Sequence, residues 1–185
     1  MPSLLPSLLT SDDLPEPELR AALLDGEVYE LGDCYSSIAD LDLPWRRASS
    51  LRSALGQQLI GYRATAAWCW GFGGPAPARL EGCVSLRARG RSMPGRVAVS
   101  EVLIDDDESV ALGEVRVTSP ARTMADIARL SDWNDADRAA VLYLASEYGV
   151  GLDRADALLW RRARLRHRVR AEHRLTDLLQ PARVP

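Results

Sequence analysis

The sequence contains no lysine, and all 23 of its basic residues are arginine. A phosphate-binding loop of the Gly-Lys-Ser/Thr type needs a lysine, and so does an enzyme that forms a Schiff base with its substrate. A nuclease site in which carboxylates act together with a lysine is excluded for the same reason. The missing lysine therefore removes three classes of site.

Histidine and cysteine are also scarce. His167 and His173 are the only histidines, and their spacing among arginines suits neither two ligands on one helix face nor a bound cation. The three cysteines, Cys34, Cys69 and Cys83, are odd in number and lack a Cys-x-x-Cys spacing, which predicts reduced thiols. A Ser-His or Cys-His pair would have to use one of the two histidines. We therefore predict no metal, no cofactor and no enzymatic activity.

Long apolar runs are missing as well. No run approaches the roughly 18 apolar residues that indicate a transmembrane helix. The opening Met1-Pro2-Ser3-Leu4-Leu5-Pro6 has no basic region, and its prolines interrupt its short apolar run. Hydrophobic residues make up 46% of the chain and charged residues 26%, which is typical of a globular protein. The sequence predicts a cytoplasmic protein.

The charges are distributed unevenly. Residues 1–45 hold ten acidic residues against Arg20 alone, a net charge of −9. Residues 154–185 hold nine arginines against three acidic residues, a net charge of +6. Such asymmetry suggests either an anionic partner for one end or contact between the two ends.

The patterning predicts an α+β fold. Residues 14–24 are predicted to form a short helix, and residues 27–31 and 34–38 a β-hairpin turning at Gly32-Asp33. A helix followed by a hairpin is the order found in a winged helix-turn-helix. The remaining predicted elements are a helix from Pro44 that Gly56 shortens, a helix at 64–72, strands at 83–89, 97–104 and 115–118, a helix capped by Ser119-Pro120, a helix capped by Asn134, and helical spacing over 153–179.

Nucleic-acid binding by the predicted winged unit is disfavoured by its charge. Its helix carries Glu16, Glu18 and Asp25 with only Arg20, and phosphates would repel these carboxylates. The sequence favours a packing or protein-binding role for this unit.

Two basic clusters are candidate nucleic-acid-binding sites. On a strand, Arg87, Arg89 and Arg91 would share one face, and Arg96 follows after the turn. This arrangement suits phosphate contacts, and it is equally typical of a strand face exposed to solvent. The second cluster is the strongest electrostatic signal in the chain and consists of Arg161, Arg162, Arg164, Arg166, Arg168 and Arg170. It could bind nucleic acid, dock on a partner or on the acidic N-terminal unit, or form a solvated helix face.

Three further features have simple structural interpretations. Trp68 and Trp70 are expected in the core rather than on a stacking platform. The run of residues 105–108, Asp-Asp-Asp-Glu, could hold a divalent cation but is better explained as a solvated turn. Arg122 gains nothing from the helix dipole near a helix start, so we expect it to serve a contact, internal or with a partner.

The order of the segments resembles the AbiEi family of antitoxins in the form common in actinobacteria. Residues 18–35 are similar to the end of that family's winged helix and its wing, and residues 60–72 to the segment that opens its second domain. Residues 115–128, with Thr118-Ser119-Pro120-Ala121-Arg122-Thr123 at their centre, give the most specific match.

The resemblance implies a degenerate winged helix-turn-helix at residues 1–40 and an antitoxin domain at 41–185. Members of the family typically repress their own operon and counter a nucleotidyltransferase-like toxin. The acidic N-terminal unit departs from the family, in which this unit is usually basic. The first hypothesis is a non-enzymatic, antitoxin-like regulatory protein. The alternatives are a DNA-binding transcriptional regulator that uses the basic C-terminal region, and an interaction module with no toxin.

Overall fold

The computed structural model describes residues 6–86, 96–162 and 165–180, and these form an α+β fold, as predicted. The N-terminal part contains α1 (Glu16–Leu24) and the antiparallel strands β1 (Val28–Leu31) and β2 (Cys34–Ser37). Leu9, Leu19 and Val28 form a small core of their own there. The predicted helix and hairpin are confirmed, but the described part of residues 1–40 has one helix and not the pair of a helix-turn-helix.

The predicted helix from Pro44 is broken into two short helices. They are α2 (Pro44–Ser50) and α3 (Arg52–Leu55), and the chain turns at Gly56, which has a φ of +58°. Trp45 recurs at helical spacing with Ala48, Leu51 and Leu55, which predicts that it lies on the apolar face of this helix, and this prediction is wrong. Trp45 is exposed, while the neighbouring Arg46 and Arg47 are buried.

A mixed five-stranded sheet forms the centre of the molecule. Its strands are β3 (Ile60–Gly61), β4 (Leu80–Ser85), β5 (Val97–Val102), β6 (Ser109–Leu112) and β7 (Val115–Thr118), in the order β5-β4-β3-β7-β6. The pairs β4–β5 and β3–β7 are parallel, and the pairs β3–β4 and β6–β7 are antiparallel. The sequence pattern missed β3 and β6 and placed the start of β4 too late, and the end of the predicted strand 83–89 lies outside the described residues.

One face of the sheet carries the main core. Leu80, Val84, Val115 and Val117 pack in that core with residues of α2, α3 and α4 (Arg63–Cys69). Trp68 and Trp70 are buried there, and their indole nitrogens donate to the carbonyl oxygens of Gly74 and Thr118 at 2.9 and 2.8 Å. Their predicted core role is confirmed.

Four helices follow the sheet: α5 (Pro120–Ala128), α6 (Asp135–Tyr148), α7 (Leu152–Trp160) and α8 (Arg168–Leu179). Ser119 and Asn134 cap α5 and α6 as predicted, because their side-chain oxygens accept bonds from backbone N–H groups of the first turn. The helical spacing predicted over 153–179 is confirmed for α7 and α8, and between them the chain leaves the helix after Trp160 and resumes it at Arg168. None of the helices in the described ranges is long and apolar enough to cross a membrane.

Candidate functional site

A buried carboxylate ties three elements together at the end of β5. The chain forms a single 3₁₀ turn at Asp106–Glu108, and Glu108 Oε2 accepts a bond from the backbone N–H of Asp105 at 3.0 Å. This is a capping box, and it turns the Glu108 side chain into the protein. Glu108 is fully buried, so its charge requires partners.

Those partners are three arginines from distant parts of the chain. Arg122 on α5 donates to Glu108 at 2.5 Å, Arg162 donates twice at 2.8 Å, and Arg161 donates at 3.2 Å. Burial raises the pKa of Glu108, but the bonds from Arg162 and the Asp105 backbone and the charge of Arg122 outweigh it and lower the pKa. Glu108 is therefore a carboxylate at neutral pH.

Arg122 extends the network along α5. Its Nε donates to Asp126 at 2.5 Å, and its Nη1 donates to the carbonyl oxygen of Leu103 at 3.1 Å as well as to Glu108. Asp126 also accepts from Arg129 Nη1 at 2.6 Å. We call the group formed by Glu108, Asp126 and these four arginines (Arg122, Arg129, Arg161 and Arg162) the hub.

The contact that we expected for Arg122 is made inside the protein, with residues of the same chain. Only 3% of Arg122 is exposed, and the opposing charges of Asp126 and Glu108 raise its pKa against the effect of burial. Its Nε and Nη1 donate to three internal acceptors, which leaves only Nη2 for a contact with a partner.

Arg161 and Arg162 also have internal partners. Arg161 pairs with Asp107 at 2.8 Å, and Arg162 pairs with Asp105 at 2.8 Å in addition to Glu108. The acidic turn is therefore neutralised by guanidinium groups and is not the free solvated turn that the sequence suggested. No cluster of three metal-ligating side chains occurs in the part of the chain that the structure describes.

The remaining predicted arginines have different surroundings. Arg166 and Arg170 are exposed, and Arg168 stacks on Trp160 with its guanidinium carbon 4.0 Å from the ring centroid. Arg96 pairs with Asp33 at 2.6 Å. Four predicted nucleic-acid-binding residues lie outside the described residues: Arg87, Arg89, Arg91 and Arg164.

The exposed arginines create a positive field at the start of α8. Desolvation and the charges of Arg170, Arg166, Arg129 and Arg174 lower the pKa of His167. His167 itself has a φ of +60°, a left-handed conformation that is uncommon for a residue with a side chain. This field favours an anionic ligand.

A cleft of about 660 Å³ opens beside the hub, between β5 and the segment that leads into α8. Its lining combines apolar side chains with arginines and one carboxylate: Leu86, Glu101, Val102, Leu103, Arg122, Arg129, Arg162, Leu165 and Arg166. The bonds of Arg122 and Arg129 use Nε and Nη1, so Nη2 of each has no acceptor among the described residues. The cleft therefore offers N–H donors above an apolar floor, which suits a partner that is both acidic and apolar.

The cysteines show no sign of activation. Burial raises the pKa of Cys69 and of Cys83 to about 12, and burial with the charges of Asp33 and Asp13 raises that of Cys34. All three are free thiols, as predicted. Raised pKa values leave these sulfurs protonated at neutral pH, which disfavours a nucleophilic or metal-binding role for them.

Sequence reasoning named Arg122, Arg161, Arg162 and the run 105–108, but it missed Asp126, Arg129 and the contacts that join the hub. The i,i+4 spacing of Arg122 and Asp126 and the Asp-x-x-Glu pattern of Asp105 and Glu108 were visible in the sequence as a helical ion pair and a capping box. The meeting of Glu108 with Arg161 and Arg162 was not visible, because more than fifty residues separate them.

Comparison with known proteins identifies no family. No family model and no curated protein matches the chain. Among solved structures, the Rv2827c protein from Mycobacterium tuberculosis is similar, with 16% sequence identity, a TM-score of 0.49, and coverage of 94% of this chain and 71% of that chain. A likeness of this size assigns neither a family nor a function to the chain.

Proposed function

We propose that this chain is a non-enzymatic, cytoplasmic regulatory protein of the antitoxin type, which counters a nucleotidyltransferase-like toxin by binding it. The observation that carries the proposal is the cleft beside the hub, with its arginine donors and its apolar floor. A cleft of this size held by buried ion pairs is organised before a partner arrives, which reduces the entropic cost of binding. The segment that resembles AbiEi antitoxins, residues 115–128, forms β7 and α5 and supplies Arg122 and Asp126 of the hub.

The partner expected at this cleft is a protein segment with carboxylates and apolar side chains. Arg129 and Arg166 would receive the carboxylates, and Leu103 and Leu165 would receive the apolar groups. Burial of an apolar side chain contributes about 1.5–3 kcal/mol, so two such anchors account for a specific but reversible contact.

Co-expression tests the proposal. A candidate nucleotidyltransferase toxin, sought among the genes beside this one, is expressed from an inducible promoter, with and without the full-length chain. We expect growth to stop with the toxin alone and to be restored by the chain. If a toxin that is active alone still stops growth in the presence of the soluble chain, the antitoxin proposal fails.

A second candidate function is nucleic-acid binding through the exposed arginines at the start of α8. Exposed Arg166 and Arg170 lie near His167 and favour it, since desolvation and the charges of these arginines lower the pKa of His167. A bound phosphate would offset the field of Arg166 and Arg170 and raise the pKa of His167. An NMR titration of the histidine signals with and without duplex DNA measures this change, and an unchanged pKa at saturating DNA would rule out binding at this place.

A further inference from the structure

The segment that joins the hairpin to α2 exposes apolar side chains to solvent. Ile38 is 64% exposed and Leu41 is 74% exposed, and Leu43 and Trp45 are exposed too. Leu24, at the end of α1, is also exposed. Five of the eleven exposed large hydrophobic side chains among the described residues thus fall within residues 24–45, and such a concentration, unlike single exposed side chains, indicates an interaction surface. We call these five residues the apolar strip.

The fold itself turns these side chains outward. Asp40 pairs with Arg46 at 2.7 Å, and Asp42 pairs with Arg47 at 2.6 Å. Leu41 lies between these two partly exposed aspartates, and their pairing with Arg46 and Arg47 leaves its side chain on the solvent side.

The two arginines fix this arrangement firmly. Arg46 is buried and also donates to the carbonyl oxygen of Ser7 at 2.5 Å and to Ser36 Oγ at 2.6 Å. Arg47 is buried, makes a bidentate contact with Asp42, and donates to the carbonyl oxygen of Trp68 at 3.1 Å. A buried arginine that lost its partner would be strongly destabilising, so we expect these ion pairs to hold the chain around Leu41 in place in the free protein.

The rim of the strip is acidic. Ile38 donates its backbone N–H to the carbonyl oxygen of Glu27, which places the strip beside the turn after α1. Asp25, Glu27 and Glu30 are exposed, and none of them has an ion-pair partner among the described residues. A surface that complements the strip must therefore be apolar and basic.

The same chain carries such a surface at its other end. Trp160 and Val169 are exposed large hydrophobic side chains there, and Arg166 and Arg170 are exposed beside them. We call these four residues the basic tail. Within the described residues neither Arg166 nor Arg170 pairs with a carboxylate of residues 6–45; instead Asp33, Asp40 and Asp42 pair with Arg96, Arg46 and Arg47. The acidic and basic ends therefore do not neutralise each other through these side chains.

We propose that the apolar strip of one protomer binds the basic tail of a second copy, in a two-fold symmetric dimer. Two-fold symmetry makes each contact occur twice, so the acidic rim of each protomer meets the arginines of the other. Trp45 and Trp160 provide the large rigid side chains that dominate the energy of many interfaces. The inference requires no toxin, and it shares one residue, Arg166, with the cleft of the antitoxin proposal.

Sedimentation equilibrium of the full chain, with a protomer mass of 20.3 kDa, tests the dimer. A rim variant carries Asp25→Arg, Glu27→Arg and Glu30→Arg, and a tail variant carries Arg166→Glu and Arg170→Glu. All five side chains are exposed, so both variants should fold, which circular dichroism and the melting temperature check. We expect each variant alone to dimerise at least about tenfold more weakly than the wild type.

Mixing the two variants separates a two-fold strip–tail contact from other modes of association. The rim variant has two basic surfaces and the tail variant has two acidic surfaces, so only the mixed pair satisfies both contacts. We expect a one-to-one complex to form in the mixture. Leu41→Ser should weaken the wild-type dimer, while Leu142→Ser, a matched exposed leucine on α6, should not.

Three results would overturn the proposal. The first is a wild-type chain that stays monomeric at about 100 µM, well above typical specific dissociation constants. The second is a dimer that both charge variants leave intact. The third is a mixture of the two folded variants that forms no complex.

Discussion

The single carboxylate of Glu108 accepts hydrogen bonds from Arg122, Arg161 and Arg162. Glu108 is fully buried, so water does not solvate this carboxylate. A buried ion pair contributes little compared with an apolar pair of the same shape, but removing one member is costly. The main effect of the hub is therefore to hold the acidic turn, α5 and the end of α7 in fixed positions relative to each other.

Removal of Arg122 tests the hub at the residue scale. Arg122→Ala leaves two buried carboxylates with fewer partners, and we expect the free energy of unfolding to fall by about 3–5 kcal/mol. Urea denaturation followed by circular dichroism measures the change. The matched control is Arg138→Ala, an exposed arginine on α6, which should change stability by no more than about 0.5 kcal/mol. Equal stability of the two variants would show that the hub does not hold the fold.

The lowered pKa of Glu108 predicts how stability depends on pH. Its folded pKa lies below the ordinary value of 4.5, so the unfolded chain takes up the proton first as the pH falls. The stabilisation is complete above about pH 4.5 and is lost as the pH falls through the folded pKa. Glu108→Gln should therefore cost most stability at neutral pH, and its difference from the wild type should shrink below pH 4.5. A difference that grows with acidity would contradict the assignment.

At the scale of elements, the arginine run shows where sequence patterning stops being informative. The helical spacing over 153–179 shows no break, yet α7 ends at Trp160 and α8 begins at Arg168. The pairs of Arg161 and Arg162 with the turn at residues 105–108 hold the chain between these helices. A contact over such a sequence distance overrides local helical preference, and no local pattern reveals it.

The break divides the arginine run into two groups with different roles. Replacing Arg161 and Arg162 with Gln should lower stability, because both belong to the hub. Replacing Arg166, Arg168 and Arg170 with Gln should leave the fold intact and weaken any binding to duplex DNA. The slope of log affinity against log salt should fall in magnitude by about 0.9 for each phosphate that the variant no longer neutralises.

Gel-shift titrations at several salt concentrations measure this slope. The matched control replaces three exposed arginines elsewhere, Arg79, Arg138 and Arg154, with Gln. If both triple variants lose affinity equally, the DNA contact is a general effect of charge and not a property of α8.

At the scale of the molecule, composition and patterning were sufficient for the fold class and for most helices, but not for the sheet. The cap residues Ser119 and Asn134 were local signals, and they were predicted correctly. The two-residue strand β3 is too short to show alternation, and its position between β4 and β7 depends wholly on long-range pairing. The candidate site is built from such long-range contacts, which explains why only some of its residues were predicted.

The hydrogen bonds of Arg46 cross the domain boundary that was predicted at residue 40. Its partners Ser7, Ser36 and Asp40 all belong to the N-terminal side, and Leu31 of β1 packs in the main core. Residues 41–185 alone lack the packing of Leu31 and the partners of Arg46. We therefore expect the free energy of unfolding of this fragment to be lower than that of the full chain by several kcal/mol. Thermal unfolding of the fragment and the full chain measures the difference, and equal melting temperatures would show two independent domains.

The central claim is that the cleft beside the hub binds the toxin, and growth rescue by a cleft variant tests it most directly. The variant carries Leu103→Arg, an exposed residue that lines the cleft and lies outside the basic tail, and its control carries Leu142→Arg on α6. With the neighbouring toxin induced, and with equal soluble levels of each chain, we expect the control to restore growth as the wild type does and the cleft variant to fail. Full rescue by the cleft variant would contradict the account.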